Sequence, residues 1–173
     1  MWTVGHSTHS LDELVALVRS HGVRHLADVR KLPRSRRHPQ VNIETLPAEL
    51  GAAGIGYTHF AGLGGLRREQ PDSINLAWKN PSFRAYADYM QSAMFAAELD
   101  RLLALGHREP VAIMCAEAVW WRCHRSLIAD ALVARGEKVL HILTPERAEP
   151  HALREFARVE DGRVTYPGEP ELF

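Results

Sequence analysis

The stretch PVAIMCAEAVWWRCHRSLIADALVARG, residues 110–136, determines how the rest of the chain can be arranged. Its first five residues are apolar, which is typical of a buried strand. From Leu127 onward apolar residues recur at helical spacing until Gly136, a residue type that commonly ends a helix. The stretch therefore predicts a strand, a loop and a helix.

Chemically active side chains are concentrated between that strand and that helix. Within eleven positions the chain places both of its cysteines, a carboxylate, a histidine and two arginines. In open α/β sheets, ligands bind at the carboxyl ends of the strands, and the first turn of a helix favours anions and ionised thiols. We therefore expect a site at this junction that contains Cys115, Glu117, Cys123, His124 and Arg125.

The composition is typical of one globular domain without a large polyanion-binding surface. The 173 residues include 21 Lys and Arg against 21 Asp and Glu, so the formal net charge is zero. Two cysteines are too few for a disulfide framework, and neither a membrane span nor a signal peptide is evident. We expect a cytoplasmic protein that does not bind membranes and forms a single α/β domain over residues 1–173, with residues 146–173 as a C-terminal extension of that domain.

The remaining patterns alternate between strands and helices, which predicts a mostly parallel sheet of about five strands with helices on both faces. Ser10 and Glu13 form a capping box, and Asn80 precedes a proline at a favoured helix start. The predicted strands cover residues 2–7, 25–30, 55–60, 110–115 and 138–145. The predicted helices cover residues 10–22, 45–53, 81–106 as one long or kinked helix, 126–136, and a stretch around 153–159.

Parallel strands send their carboxyl ends to one edge of the sheet, so the polar residues that follow the other strands should join the site. We assign His6 and Asp28 to catalysis, together with the acid, the histidine and the thiols of the central stretch. The expected substrate-binding residues are Ser7, Arg30, His59, Gly64, Gly65 and Arg125.

Several short motifs, taken together, resemble the domain of unknown function 488 family over about residues 2–151. The resemblance implies a compact α/β protein with these residues grouped at one edge, and it supplies no reaction. One departure is the apolar run at residues 118–121, where a more polar loop is expected. The motifs are Val4-Gly5-His6-Ser7, Asp28-Val29-Arg30 with Pro33 and Ser35, Tyr57 with Leu63-Gly64-Gly65, Cys115-Ala116-Glu117, Cys123-His124-Arg125, and His141-Ile142 before His151.

The favoured interpretation is an enzyme, a Cys/His-dependent hydrolase or transferase that acts on a small anionic or nucleotide-like substrate. Cys115 or Cys123 would be the nucleophile, and His124 or His6 its base. Arg125 and Arg30 would hold the anion, Glu117 would orient a histidine or exchange a proton, and neither a cofactor nor a metal is assigned.

Three alternatives remain open at this stage. Glu117 and Asp28 could divide acid and base roles, as in glycosyl transfer. Cys115, Cys123 and His124 could bind a metal with His6 or His59, although the spacing of the cysteines is unusual for zinc. A non-catalytic module could bind a nucleotide or nucleic acid through the basic loop 30–38 with Arg67, Arg68, Trp78, Trp120 and Trp121. The sequence names no substrate and no oligomeric state.

Overall fold

A six-stranded sheet forms the centre of the computed structural model, which describes residues 1–168. Its strands are β1 (Trp2–Gly5), β2 (His25–Asp28), β3 (Gly56–His59), β4 (Val111–Cys115), β5 (Leu140–Thr144) and β6 (Arg147–Pro150). They lie in the order β3-β2-β4-β1-β5-β6, and every neighbouring pair except the last is parallel. The predicted α/β architecture is confirmed.

Helices cover both faces of this sheet. They are α1 (Leu11–Ser20), α2 (Leu46–Ala52), α3 (Pro81–Tyr89), α4 (Ala93–Gly106) and α5 (Arg125–Ala134). Side chains of β4 alternate between two buried clusters, one formed with α1 and α2 and the other with α3, α4 and α5. Among residues 1–168, no helix is both long enough and apolar enough to cross a membrane.

The predicted helix over residues 81–106 is two helices, and the cause is local capping. The side chain of Ser92 accepts a hydrogen bond from the backbone N–H of Phe95 at 3.2 Å, which starts α4. The first backbone N–H groups of a helix have no partner within the helix, and a serine cap of this kind accepts a hydrogen bond from one of them. The cap therefore stabilises the start of a new helix at this position. The apolar spacing alone therefore overestimated the length of the helix.

The chain after β5 differs from the prediction in two places. Residues 145–146 form a tight turn into the antiparallel strand β6, which brings the sheet to six strands. The helix predicted around residues 153–159 is wrong, because β7 (Arg158–Glu160) and β8 (Arg163–Thr165) form a hairpin. Asp161 and Gly162 take positive φ at its turn, as two-residue hairpins require. The last five residues of the predicted C-terminal extension, 169–173, lie outside the described residues.

A buried hydrogen-bonded chain connects β1, β5, α5 and the segment after β6. Asp130 lies 2.8 Å from Nε2 of His151, whose Nδ1 lies 2.9 Å from Nε2 of His141, and Oγ1 of Thr3 lies 2.7 Å from Nδ1 of His141. Because the carboxylate only accepts, each histidine donates toward Asp130 and accepts on its other nitrogen. With both histidines neutral, each ring nitrogen of His141 and His151 thus has a hydrogen-bond partner.

This network predicts that the protein loses stability in acid. Burial, with the neighbouring His151, lowers the pKa of His141 from its ordinary value of 6.5 to about 3. Below about pH 6.5 the unfolded chain binds a proton that the folded chain does not, so the free energy of unfolding falls by up to about 1.4 kcal/mol per pH unit. This loss continues down to the folded pKa.

Urea unfolding at about pH 7.5 and about pH 5 measures this effect, and we expect a loss of about 1–2 kcal/mol. The variant His141→Gln should show a smaller pH slope, whereas His107→Gln, at an exposed histidine, should keep the slope of the natural protein. An unchanged slope in His141→Gln would contradict the assignment.

Candidate functional site

The end of β4 and the start of α5 bring two thiols and one imidazole together. Cys115 is the last residue of β4, and Cys123 and His124 directly precede α5, after a short 3-10 helix at Trp120–Arg122. Nδ1 of His124 lies 3.9 Å from Sγ of Cys115 and 3.7 Å from Sγ of Cys123. These three atoms all lie within 4.8 Å of one another, and both cysteines are free.

The orientation of the His124 ring is determined by β2 and by a close glycine. Its Nε2 lies 3.0 Å from the carbonyl oxygen of Val29, which can only accept, so Nε2 carries the ring proton. Nδ1 therefore faces the two sulfur atoms, where it can accept a proton from a thiol. A Cβ added to Gly65 would lie 3.2 Å from Nδ1, which explains why glycine fits there. Gly65 thus contributes space for the ring.

The two thiols have opposite ionisation behaviour. The hydrogen bond from the Cys123 thiol, with further contributions from His124 and Arg125, lowers the pKa of Cys115 to about 4 despite its burial. The same contact with Cys115, together with burial, raises the pKa of Cys123. Within this pair, Cys115 is therefore the cysteine that ionises more readily.

A cavity of about 330 Å³ opens over these side chains, and both cysteines and His124 line it. Lys31, Arg122 and Glu117 supply exposed charged side chains to its wall. Within residues 1–168, neither of these two cations forms an ion pair. The apolar part of the wall includes Leu32, Leu66, Phe83 and Tyr86.

Arg125, predicted to bind a substrate anion, lies among backbone carbonyls in the structure. Its side chain is 1% exposed, and it donates to the carbonyls of Val4 at 3.0 Å, Glu117 at 2.6 Å and Ala118 at 2.9 Å. The guanidinium carries five donors and no acceptor, so it satisfies carbonyls that the loop leaves without a strand or helix partner. Arg125 thereby attaches the loop after β4 to β1.

Asp28 and Arg30, predicted for catalysis and substrate binding, form an ion pair with each other, and Arg30 also lines the cavity. One oxygen of the fully buried Asp28 accepts from N and Nε of Arg30 at 3.0 and 2.9 Å. The other accepts from Arg30 at 2.6 Å and from the Tyr57 hydroxyl at 2.7 Å. Both carboxylate oxygens thus accept hydrogen bonds, and the charges of Asp28 and Arg30 compensate each other. A catalytic role for Asp28, as in the interpretation with two carboxylates, would require it to exchange these partners.

The remaining predicted residues lie around this pair instead of in the cavity wall. Nε2 of His6 lies 3.3 Å from NH1 of Arg30, and burial followed by that charge lowers the pKa of His6. His59 donates from Nε2 to the Arg30 carbonyl at 2.8 Å. Ser7 takes a positive φ of 46° and donates its N–H to a loop carbonyl, while Gly64 lies against the Lys31 backbone.

The tryptophans do not form one stacking surface for nucleic acid. Trp120 stacks on His141 with ring centroids 3.9 Å apart, and its Nε1 donates to Glu149 at 2.9 Å. Trp78 stacks on Phe83 instead. Trp121 is 54% exposed and packs edge to face against Trp120, with ring centroids 5.4 Å apart. The apolar residues at 118–121 thus help attach the loop to β5.

Sequence reasoning missed the apolar wall of the cavity. Leu32 and Leu66 are 72% and 83% exposed, and Leu66 has a positive φ of 58° that is unusual for a bulky residue. Both follow strand-end motifs within polar loops. A leucine among polar loop residues is the only signal in the sequence that could have indicated an apolar cavity wall. Arg122 lies inside the central stretch, and its residue type and position could have identified it as a candidate site residue.

The profile of the family described as Domain of unknown function DUF488 matches residues 10–132, which include both cysteines and His124. The chain belongs to this family. The matched DUF488 region contains β2, β3, β4 and most of α5, and therefore the elements that carry the cavity. Comparison with curated proteins and with solved structures finds no match.

The role of Arg125 predicts a large stability effect at this one arginine. Arg125→Met removes the donors of three carbonyls, and the free energy of unfolding should fall by about 3–5 kcal/mol. Arg122→Met, at the exposed arginine three positions earlier, should change it by less than about 0.5 kcal/mol. Urea unfolding at neutral pH measures both, and equal effects of the two substitutions would contradict this role.

Proposed function

We propose that this DUF488 protein is a cysteine-dependent enzyme, a hydrolase or transferase that acts on a small anionic substrate. The observation that carries the proposal is the pair formed by Cys115 and His124. The thiol lies 3.9 Å from a ring nitrogen that faces it as an acceptor, in the wall of an open cavity. Covalent catalysis requires a nucleophile, an adjacent base and a group that orients this base.

The reaction would proceed in two displacements. The Cys115 thiol gives its proton to Nδ1 of His124, and the resulting thiolate attacks an acyl carbon or a phosphorus of the substrate, so that a bond to sulfur forms as the bond to the leaving group breaks. His124 then gives this proton from Nδ1 to the leaving group. Water or an acceptor alcohol then gives a proton back to Nδ1, attacks the covalent intermediate and releases the thiolate. Glu117, the carboxylate in the cavity wall, is a further proton donor or acceptor.

The cavity wall favours an anionic group joined to an apolar part. Lys31 and Arg122 are the cations available to a ligand, since Arg30 is neutralised by Asp28. Leu32 and Leu66 provide apolar surface at the same cavity. A pocket of this size suits a small molecule. A thiolate next to a second thiol also persists best in a reducing compartment, which favours the cytoplasm.

The first test is the pH profile of alkylation at each cysteine, read by peptide mass spectrometry in protein treated with a chelator. Because Cys115 would already be ionised, its rate should change by less than about twofold between about pH 5.5 and about pH 7.5. The same residue in denatured protein should react about 100-fold faster at the higher pH. Cys123 should react more slowly than Cys115 throughout. A Cys115 profile that follows the denatured protein would remove the activated nucleophile.

The second test is turnover of chromogenic aryl esters and aryl phosphates, each with and without a carboxylate. Cys115→Ser and His124→Gln should each lower kcat by at least about 100-fold, whereas His107→Gln should not. The double variant Lys31→Gln, Arg122→Gln should raise KM for the carboxylate-bearing compounds alone. Turnover that survives Cys115→Ser would sink the proposal.

A further inference from the structure

We propose that Sγ of Cys115, Sγ of Cys123 and Nδ1 of His124 also form an open site for a Zn²⁺-type cation, with its fourth position facing the cavity. Binding rests on the ligand geometry alone and goes beyond the proposed reaction. The consequence that the cation and the reaction compete for the same atoms rests on the proposed function.

The two distances between the imidazole nitrogen and the sulfur atoms are close to those around tetrahedral zinc, and all three donor atoms lie within 4.8 Å of one another. With zinc–sulfur bonds of about 2.3 Å and a zinc–nitrogen bond of about 2.0 Å, neighbouring sulfur and nitrogen ligands lie about 3.6 Å apart. Nδ1 of His124 lies 3.7 Å from Sγ of Cys123 and 3.9 Å from Sγ of Cys115. Side-chain movements of a few tenths of an ångström would therefore suffice for these two edges.

The imidazole is already oriented as a ligand. Histidines that bind metals almost always donate their other ring N–H to a carbonyl or carboxylate, which directs the free nitrogen at the ion. Nε2 of His124 makes this contact with the Val29 carbonyl at 3.0 Å. The contact is independent of the thiols, so it is a second observation that points to the same ligand.

The chemistry of the donor set selects the class of cation. Two thiolates and one imidazole suit zinc and other soft or borderline ions, whereas Mg²⁺ and Ca²⁺ prefer oxygen ligands. A divalent ion would balance both thiolates, and the proton of Cys123 would leave to solvent on binding. The balance matters because the thiols are only 7% and 3% exposed, where two uncompensated thiolates would be costly.

Three protein ligands leave one tetrahedral position, and its surroundings make the site open. Structural zinc sites usually have four protein ligands, whereas sites with three keep a position for water or substrate. Cys115, Cys123 and His124 all line the cavity of about 330 Å³, so a fourth ligand has room there. An occupied site would hold the Cys115 thiolate and remove it from nucleophilic attack.

Titration of the full chain with Zn²⁺ and Co²⁺ tests the site, after removal of bound metal by a chelator. We expect one ion per chain, competition between the two metals, and a Co²⁺ spectrum with a thiolate charge-transfer band and the visible bands of four-coordinate cobalt. Cys115→Ser, Cys123→Ser and His124→Gln should each weaken Zn²⁺ binding by at least about tenfold, as measured against a chromophoric chelator. His107→Gln, at an exposed histidine paired with Glu137, should bind as the natural protein does.

The natural protein decides the result even if a variant fails to fold. Absence of stoichiometric Zn²⁺ binding, or a Co²⁺ spectrum without the thiolate band, would overturn the site. Zn²⁺ should also protect Cys115 from alkylation, and a chelator should restore its reactivity. Binding without a reactive Cys115 in the metal-free protein would refute the proposed enzyme and leave the metal site standing. A reactive Cys115 without binding would do the reverse.

Discussion

The site depends on the hydrogen bonds that the buried guanidinium of Arg125 donates. It accommodates three backbone carbonyls, two from the loop after β4 and one from β1. The loop lies so close to β1 that a Cβ on Gly5 would be 1.9 Å from the Glu117 carbonyl oxygen. Because this loop joins Cys115 to Cys123, its attachment to β1 holds the two thiols on either side of His124.

A second attachment acts on the same loop from β5. Trp120 stacks on His141, which belongs to the hydrogen-bonded chain that ends at Asp130 of α5. Burial lowers the pKa of His141, so the ring on which Trp120 stacks resists protonation. The segment after β6 therefore contributes to the site through His151, although it lies outside the part matched by the family.

Charge at the sheet edge is divided between structure and ligand binding according to burial. A buried charge needs a partner, and Asp28 and Arg30 follow one another so closely after β2 that they become each other's partners. His6 and His59 then support that pair. Lys31 and Arg122, on exposed loop positions in the cavity wall, form no ion pair within residues 1–168, and water compensates their charges.

Local patterns in the sequence determined most of the fold, because capping and apolar spacing act over a few residues. Ser10 and Glu13 make both hydrogen bonds of the predicted capping box, and Asn80 caps α3 as expected. The strand-loop-helix unit at residues 110–136 was predictable for the same reason, and so was the grouping of the two cysteines with His124. The antiparallel strand β6 and the hairpin at 158–165 were missed, since short exposed strands carry little periodicity.

Only the tertiary structure decided what each polar side chain does at the sheet edge. Sequence reasoning treated Arg125, Arg30 and Asp28 as free to meet a substrate, because residue type and strand position do not reveal which backbone carbonyls lie nearby. The fold places unpaired carbonyls around Arg125 and places Asp28 against Arg30, and the cost of leaving buried polar groups unpaired makes both arrangements obligatory. The sequence by itself determined the helix caps and the grouping of residues that are close in the chain. Packing determined which hydrogen-bond partners, distant in the chain, each buried polar side chain meets.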